Sequence, residues 1–426
     1  MNERKLAEDL LVYLDRGKSM YHSAAESVAR LEKAGFERLN MDEAWKLKKG
    51  GAYYTLVNDS GLVAFRLGNK DIKDTGFKMI GAHLDSPCFR IKPNPVIEDN
   101  GILKLNTEVY GGVILSTWFD RPLSIAGRVM VNRKGKVASE FVDFEKPIAI
   151  MPNAAIHMNR DVNDGFKYLN NKHTLPILLM EGDKEVFKER LAELLKVKKE
   201  DILSEDLYLY DTTKAVFMGE DDEYISAGRL DNLAMSHLAI QTIIDSKNKE
   251  ESLFIVVSDN EEVGSRSIQG AYSQLIPTVL KRIMLAEDAS EEDYHVALAK
   301  SFMLSTDMAH AYHTNFPDMA DPTNKCFINK GPCVKEAASK GYITDGLSNA
   351  KFKAICKKAK VECQDYVNPS HIRGGSTIGP ITESVVQVKA VDIGNPVLAM
   401  HSVREIGGTK DHYSMYKVLM EYFKEG

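Results

Sequence analysis

The chain has 426 residues, which is long for one hydrophobic core and predicts two domains. Hydrophobic residues make up 44% of the sequence and charged residues 27%, the proportions of an ordinary soluble globular protein. A formal net charge of -6 gives no electrostatic reason to expect binding to nucleic acid or to an anionic membrane.

The cysteines and the N-terminal residues indicate the cellular compartment in which the protein is expected. The five cysteines are odd in number and contain no CxxC pair, which argues against a disulfide framework. The first residues, MNERKLAEDLLVYLDRG, carry charges throughout their apolar positions. This pattern predicts an amphipathic helix rather than a signal peptide or a membrane span. We therefore expect a cytoplasmic protein.

The first part of the chain mixes helices with strands. Residues 1–35 are predicted to be helical, with Ser19 capping a second helix and Gly35 ending it. Short β-rich runs follow at 52–57 and 62–67, and then the apolar stretch FKMIGA leads into His83.

The pattern of apolar and polar residues changes between residues 87 and 215. Segments such as ILKLNTEVY and SIAGRVMVNRKGKVASEFVDF alternate apolar and polar residues between Gly, Asn and Lys turns. This alternation is typical of an antiparallel sheet with one exposed face. One predicted helix, 184–195, interrupts it.

After residue 225, predicted helices at 230–245, 272–284, 347–360 and 412–424 alternate with strands, among them 252–258, 302–306 and 386–394. Such alternation predicts a mostly parallel sheet covered by helices on both faces. The expected architecture is α/β, with a mixed, mostly parallel sheet sandwiched by helices. The α/β domain is built from residues 1–86 and 216–426, and a β-rich domain, 87–215, is inserted in it.

Carboxylates and imidazoles recur where predicted strands or helices meet loops. Ligands in open α/β sheets bind at the carboxyl ends of strands, so these side chains are expected to gather at one edge. Together they form a nitrogen and oxygen ligand set suited to zinc or a neighbouring divalent metal. The residues are His83, Asp85, Asp231, Glu261, Glu262, Asp307 and His401.

Chemistry suggests a role for several of them. Asp85 can accept a proton from one ring nitrogen of His83 and leave the other nitrogen free for a metal. Asp231, at a helix start, is the best candidate for a carboxylate that bridges two cations. Glu261 and Glu262 are adjacent and should point apart, so one can bind metal while the other contacts a water. The chain is therefore predicted to be a metallohydrolase.

Each of these residues also has a simpler interpretation. An isolated HxD or EE pair is more often a surface feature. Asp231 alone is typical of an acidic residue at a helix N-terminus, and His401 alone is typical of a hydrogen-bonded histidine in the protein core. His310 and His313 lie close to Asp307 in sequence and are rival ligands. His237, in the middle of a predicted helix, is expected to be structural.

Longer motifs resemble a known family. They are GAHLDSPCFRIKPNP, TWFDRPLSIAGRV, AIHMNR, SAGRLDN, SDNEEVGS, STDMAHAYHTNFPD, NKGPCVK and LAMHSVREIGG. In this order and spacing they closely resemble the aspartyl-aminopeptidase family, dinuclear-zinc exopeptidases that assemble as tetrahedral dodecamers. The resemblance implies a zinc-exopeptidase-like fold in which the inserted domain mediates dimerisation, and a homo-oligomer that acts on short peptides.

The resemblance also implies the metal ligands. His83, Asp231 and Asp307 would hold one divalent ion, and Asp231, Glu262 and His401 would hold the other. Zinc is expected in both sites, although cobalt or manganese remains open for either.

Further roles follow from the same resemblance. Glu261 would be the general base and acid, and Asp85 would orient a ligand from behind it. His157 would contact the reacting carbonyl. Lys335 and Tyr342 match positions that approach the substrate side chain and the intermediate in the family.

The match is incomplete in one segment, and other functions stay open. STWFDRPL has Ser116 and Pro122 where many members carry a histidine and an aspartate, so a preference for acidic N-terminal residues is the open part of the prediction.

The alternatives are a dinuclear-metal deacylase or another amide hydrolase on the same kind of sheet, or a non-catalytic shell protein that binds cargo. A serine hydrolase is not supported, because no GxSxG occurs.

Overall fold

The computed structural model describes residues 1–372 and 374–424. The first part of the chain forms α1 (Glu3–Arg16), α2 (Met20–Lys33), β1 (Glu37–Arg38), β2 (Ala52–Val57), β3 (Gly61–Arg66), α3 (Ile72–Thr75) and β4 (Phe77–His83). The Ser19 side chain accepts a hydrogen bond from the backbone of His22 and so caps α2. Gly35, with φ of +84°, follows the end of that helix as the sequence predicts.

The middle of the chain is rich in strands. It forms β5 (Cys88–Asp99), β6 (Ile102–Tyr110), β7 (Leu123–Arg133), β8 (Lys136–Asp143), β9 (Ala149–Ile150), β10 (Ile177–Leu178), α4 (Val186–Leu195) and β11 (Ile202–Asp211). These strands make a seven-stranded sheet in the order β11-β5-β6-β10-β9-β7-β8, with β11 also pairing with β7. All its pairings are antiparallel. We call it the second sheet.

The rest of the chain returns to β/α alternation. Its elements are β12 (Val216–Met218), β13 (Tyr224–Ala227), α5 (Leu230–Asp245), β14 (Ser252–Ser258), α6 (Leu275–Ala286), α7 (Glu291–Lys300), β15 (Phe302–Thr306), β16 (Ala309–His310), β17 (Cys333–Glu336), α8 (Gly346–Ala359), β18 (Gln364–Val367), α9 (Ile378–Val386), β19 (Lys389–Gly394), β20 (Pro396–Leu398), β21 (Glu405–Gly408) and α10 (Thr409–Tyr422).

A nine-stranded sheet forms the centre of the molecule, in the order β1-β2-β3-β14-β4-β15-β19-β17-β18. Its middle strands β14, β4, β15 and β19 run parallel, while β3 and β17 join them antiparallel. One face packs on α1, α2, α5, α8 and α10, and the other packs on α6, α7 and α9. The expected α/β architecture, a mixed sheet sandwiched by helices, is therefore confirmed.

The second sheet has its own apolar core, into which α4 packs. This matches the expectation of a β-rich insertion, while the domain boundaries at residues 87 and 215 stay a prediction. Among the described residues, no helix has the length and apolar character needed to cross a membrane.

Two helices differ from the sequence prediction. Residues 378–386 form α9, so the predicted strand 386–394 begins at Lys389 instead. The polar helix α7 was not anticipated, because its sequence, EEDYHVALAK, has a weak apolar stripe and is recognisable mainly from the capping box of Ser290 with Asp293.

Candidate metal centre

Three adjacent strands deliver carboxylates and a histidine to one edge of the central sheet. β4 lies between β14 and β15 and is parallel to both, so the three carboxyl ends meet. His83 is the last residue of β4, and Asp307 directly follows β15. A single helical turn, Glu261–Val263, follows β14.

The other two predicted ligands come from outside these three strands. Asp231 lies at the start of α5, where the backbone departs from helical geometry and the peptide bond to Asn232 is cis. His401 lies in the turn between β20 and β21, with φ of +68°. Asp231 is therefore at a loop-to-helix junction, as the sequence predicts, whereas His401 lies inside a turn that joins two strands.

These side chains form two groups that share Asp231. The His83 Nε2 atom lies 3.6 Å from Asp231 Oδ1 and 3.5 Å from Asp307 Oδ1. The His401 Nε2 atom lies 3.4 Å from Asp231 Oδ2 and 3.4 Å from Glu262 Oε2. In each group the ligand atoms lie within 4.8 Å of one another. The two oxygens of Asp231 therefore face different groups.

The atoms in these groups are placed for metal binding rather than for hydrogen bonding. Ligand atoms about 2.0–2.2 Å from one tetrahedral zinc ion stand about 3.3–3.6 Å apart, which is the spacing seen here. The Nδ1 of His83 donates to the Asp85 carbonyl at 3.1 Å, and the Nδ1 of His401 donates to the Gly112 carbonyl at 2.9 Å. Each ring thus directs its Nε2 lone pair at carboxylates.

The negative charges gathered at this site also favour the binding of cations. Asp231 Oδ1 is buried and has no hydrogen-bond partner among the described residues. Burial and the charge of Asp231 raise the pKa of Glu262 well above its usual range. Burial opposes a charge on His83, but the neighbouring carboxylates of Asp307, Asp85 and Glu261 outweigh it and raise the pKa of that ring well above its usual value. Divalent cations would replace these protons, so the residues present fit a metal centre.

Glu261 lies at the same edge of the sheet but is not a member of either of the two groups that share Asp231. Its carboxylate is within 4.8 Å of ligand atoms of His83 and Glu262. Burial raises the pKa of Glu261 to about 8, an effect that bound cations would oppose. Together with the predicted ligands it lines a cleft of about 380 Å³.

Asp85 fixes the turn that carries both glutamates. Its two carboxylate oxygens accept the backbone N–H groups of Glu261 and Glu262, each at 3.1 Å, and Oδ2 also accepts the Tyr110 hydroxyl at 2.8 Å. Asp85 contacts the His83 ring through its backbone carbonyl at 3.1 Å, and its carboxylate is slightly farther away at 3.4 Å. Asp85 therefore supports the turn as well as the histidine.

Glu405 is a site residue that the sequence analysis missed. Its buried carboxylate accepts the backbone N–H of Asp231 at 3.0 Å and that of His401 at 2.9 Å. It therefore ties together the backbones of two predicted ligands from different parts of the chain. The sequence signal is weak, because a glutamate in HSVREIGG looks like an ordinary polar turn residue.

The second sheet approaches the centre through two glycines that follow β6. A Cβ on Gly112 would lie 3.1 Å from the His401 ring, and a Cβ on Gly111 would lie 3.1 Å from the Glu262 side chain. The backbone N–H of Ile114 also donates to the His401 carbonyl at 3.1 Å. Small residues are thus required where this segment supports the predicted ligands.

Lys335 and Tyr342 lie in the wall of the same cleft. The Lys335 ammonium is buried and donates to Asp307 Oδ2 at 3.3 Å and to the Met308 carbonyl at 3.1 Å. It also lies 5.2 Å from the centre of the Tyr342 ring. Lys335 therefore interacts directly with a predicted ligand.

His157 lies elsewhere, on an exposed loop of the second-sheet region, and is not among the described residues that line the cleft of its own chain. The rival ligands His310 and His313 belong to no metal-binding group among the described residues, although His310 lines the cleft. His237 is buried and bonds to His412 and Asp9, as expected of a structural histidine.

Comparisons with known proteins extend over nearly the whole chain. Residues 13–423 match the Aminopeptidase I zinc metalloprotease (M18) family. A protein of Clostridium novyi (strain NT), described as a probable M18 family aminopeptidase 2, is 44% identical over 99% of each chain.

Solved structures show the same relationship. A chain in the cryo-EM structure of the Ape4 and Nbr1 complex is 32% identical with a TM-score of 0.95, covering 99% of this chain and 86% of that one. A chain of the S. cerevisiae mApe1 dodecamer is 25% identical with a TM-score of 0.85, covering 98% and 96%. With these matches and the zinc-suited ligand groups together, the chain belongs to the M18 family of aminopeptidases and is a metal-dependent aminopeptidase of the zinc type.

Proposed function

We propose that the enzyme removes the N-terminal residue from short peptides with two divalent cations, zinc in both sites. His83, Asp231 and Asp307 would hold one cation, and Asp231, Glu262 and His401 would hold the other. The observation that carries this proposal is that the two oxygens of Asp231 face different histidines, at 3.6 and 3.4 Å. Cations held there would supply Lewis acidity and lower the pKa of water from about 16 towards 7.

In this proposal Glu261 moves the proton. Its carboxylate would accept a proton from the attacking water and deliver it to the nitrogen of the leaving amine. Asp85 accepts its backbone N–H and so supports the turn that presents its side chain to the cleft. A glutamate beside the predicted metal ligands is placed for both the accepting and the donating step.

We propose that His157 acts in the cleft of a second copy of this chain. It is exposed and does not line the cleft of its own chain, and its neighbour Met158 is an exposed apolar side chain. A dimer built through the second sheet would cover such residues and bring the loop to another site. The dodecameric S. cerevisiae relative supports a larger closed assembly of these dimers.

Lys335 is the proposed determinant of a moderate preference for acidic N-terminal residues. An ammonium has three donors, and two of them are used by Asp307 and the Met308 carbonyl. The third is available to a Glu or Asp side chain of the substrate. A charge-assisted hydrogen bond of this kind is worth about 1.5–3 kcal/mol, or roughly 10–150-fold in discrimination.

The Lys335→Met variant tests this preference. We expect kcat/KM for acidic aminoacyl substrates to fall by about tenfold or more, while neutral substrates change little. Zinc content should be measured in parallel, because Lys335 also contacts Asp307. Lys330→Met, which removes an exposed lysine from the same segment, is the matched control. An equal loss for acidic and neutral substrates would assign Lys335 to the reaction itself rather than to specificity.

A panel of aminoacyl chromogenic substrates, assayed after defined metals are added back to metal-free enzyme, tests the proposed function as a whole. We expect hydrolysis of free N-terminal aminoacyl groups and none of the same substrates with an acetylated amine. Efficient hydrolysis of the acetylated substrates would favour the deacylase alternative, and no turnover with any metal would favour a non-catalytic shell protein.

A further inference from the structure

A second cleft, of about 490 Å³, opens where the second sheet meets α2 and the loop that follows Glu262. It shares none of its described lining residues with the cleft that holds the predicted metal ligands. Three arginines and two acids line it, giving an excess of one positive charge: Arg90, Arg128, Arg266, Glu108 and Asp206. We call it the arginine cleft.

The arginines differ in how far their hydrogen-bonding capacity is used. Arg128 bonds to Asp206 at 3.1 Å and to Asp59 at 3.0 Å, so its charge is compensated within the fold. Arg90 also contacts Asp206, at 3.1 Å, and Glu108, at 3.6 Å, but its Nε is buried without a partner among the described residues. Arg266 is exposed and makes no hydrogen bond or ion pair with any residue that the structure describes.

The neighbouring Ser267 adds another unused polar atom. Its Oγ is buried and unpartnered among the described residues. The cleft is therefore lined by one exposed guanidinium, Arg266, with no partner among the described residues, and by Arg90 and Ser267, which each have one buried polar atom without a partner among those residues. The two guanidinium groups suit the oxygens of a small dianion, because guanidinium groups bind carboxylate, phosphate and sulfate oxygens in a planar, often bidentate arrangement.

We infer that the arginine cleft is an effector site for a small dianion such as sulfate, phosphate or a dicarboxylate, and that its occupancy is coupled to the turn that carries Glu261 and Glu262.

A hydrogen-bonded chain supplies this coupling, and most of it lies in the cleft wall. Arg128 donates to the Asn58 side-chain oxygen at 3.0 Å, and the Asn58 amide donates to Gln269 at 3.1 Å. The Gln269 amide donates to Asn260 at 3.1 Å, and the Asn260 amide donates to the Tyr110 hydroxyl at 2.8 Å. All five residues line the arginine cleft.

The chain ends at the candidate metal centre. Tyr110 donates to Asp85 Oδ2 at 2.8 Å, and Asp85 accepts the backbone N–H groups of Glu261 and Glu262. Arg266 and Ser267 belong to the loop between Glu262 and Gln269. Both of these end residues take part in the hydrogen-bonded series that leads to Asp85. A dianion that joins Arg266 to Arg90 would tie this loop to the second sheet. The turn should then hold Glu261 in place more of the time, and turnover should rise.

Sulfate is the probe of choice, because it is a dianion and a weak zinc ligand. Titration calorimetry of the metal-loaded enzyme, at ionic strength held constant with chloride, should show saturable binding. Arg266→Met should weaken that binding by at least about tenfold. Lys198→Met removes an exposed lysine of equal charge from the second-sheet region and should leave sulfate affinity unchanged. No binding to the wild type, or equal binding to Arg266→Met, would overturn the inference.

Kinetics test the coupling separately from the binding. We expect saturating sulfate to raise kcat of the wild type by about twofold or more and to leave kcat of Arg266→Met unchanged. Gln269→Leu interrupts the chain outside the ion-binding groups, so it should still bind sulfate but lose the rise in kcat. Binding with no change in wild-type kcat would make the cleft an ion site without a regulatory role. Because binding is measured by heat, a failure here is distinct from a failure of the proposed catalytic mechanism.

Discussion

Asp231 lies between two histidine rings, and each of its oxygens faces a different one. Its own position is set by backbone contacts, since Glu405 accepts its N–H and Ser86 donates to its carbonyl at 2.6 Å. Its Oδ1 atom is buried and has no hydrogen-bond partner among the described residues. A carboxylate held in this way is suited to bridge two cations.

Glu261→Gln tests the proposed general base. The amide has the size of the carboxylate but cannot accept the proton, so kcat should fall by at least about 100-fold while folding and zinc content stay intact. Glu292→Gln, on the exposed start of α7, should have wild-type kcat. Turnover near the wild-type value in Glu261→Gln would move the proton-transfer role to another group, with Asp85 the first to examine.

The sequence anticipates the site to different extents for different residues. His83 and Asp307 were foreseeable because each ends a short apolar run, and such runs become parallel strands with a common edge. Glu405 and Tyr110 were not, because their roles depend on contacts with residues 174 and 25 positions away. Sequence spacing carries no signal for hydrogen bonds of that range.

At the level of elements, several buried strands and the buried helix α5 were predicted closely. The strands 52–57, 252–258 and 302–306 and the helix 230–245 agree with β2, β14, β15 and α5. The errors fall where periodicity is ambiguous. Val386 belongs to an apolar stretch that continues as a strand pattern, but a left-handed residue, Gln387, ends α9 there.

Three helices are joined by a buried histidine pair. The His237 ring on α5 lies 3.0 Å from His412 on α10, and its Nε2 donates to Asp9 on α1 at 2.8 Å. Burial lowers the pKa of His237, and burial together with His237 lowers the pKa of His412 further. Both rings are therefore neutral in the folded protein at neutral pH, whereas in the unfolded chain they titrate near pH 6.5.

This pair predicts how stability depends on pH. Below about pH 6.5 the unfolded chain binds protons at these two histidines that the folded protein does not, so the contribution of the pair to stability should fall as pH decreases, by up to about 1.4 kcal/mol per pH unit for each histidine. His412→Gln should lose part of this contribution, so the stability of the wild type relative to the variant should fall as pH decreases. Urea unfolding of the metal-free wild type and variant between pH 5 and 7.5 measures it, and His295→Gln, an exposed histidine on α7, is the control. Equal slopes in all three proteins would contradict the assignment.

At the level of the whole molecule, the second sheet leaves apolar side chains in solvent. Met158 is 82% exposed and Val137 is 70% exposed, which is unusual for large apolar residues in a chain of this size unless they meet a partner. The glycines that follow β6 connect this region directly to the His401 ring. Assembly through the second sheet would therefore affect both stability and the site.

Met158→Glu tests the proposed assembly. A buried charge in an interface is costly, so light scattering should show a shift towards smaller species, and kcat should fall if His157 acts in the neighbouring copy. Leu285→Glu, an exposed apolar position on α6 outside the second sheet, is the matched control. A wild-type enzyme that is a stable and fully active monomer would rule out this part of the account.

The most direct test of the central claim is the zinc stoichiometry of the wild type and of Asp231→Asn. Native mass spectrometry should show about two zinc ions per wild-type chain, one for each group that shares Asp231, and activity should keep rising until the second equivalent is bound. Asp231→Asn should lose tight binding of both ions, because a neutral amide cannot bridge them or balance their charge. Two tightly bound zinc ions in Asp231→Asn, or full wild-type activity with one ion per chain, would contradict the shared-carboxylate centre.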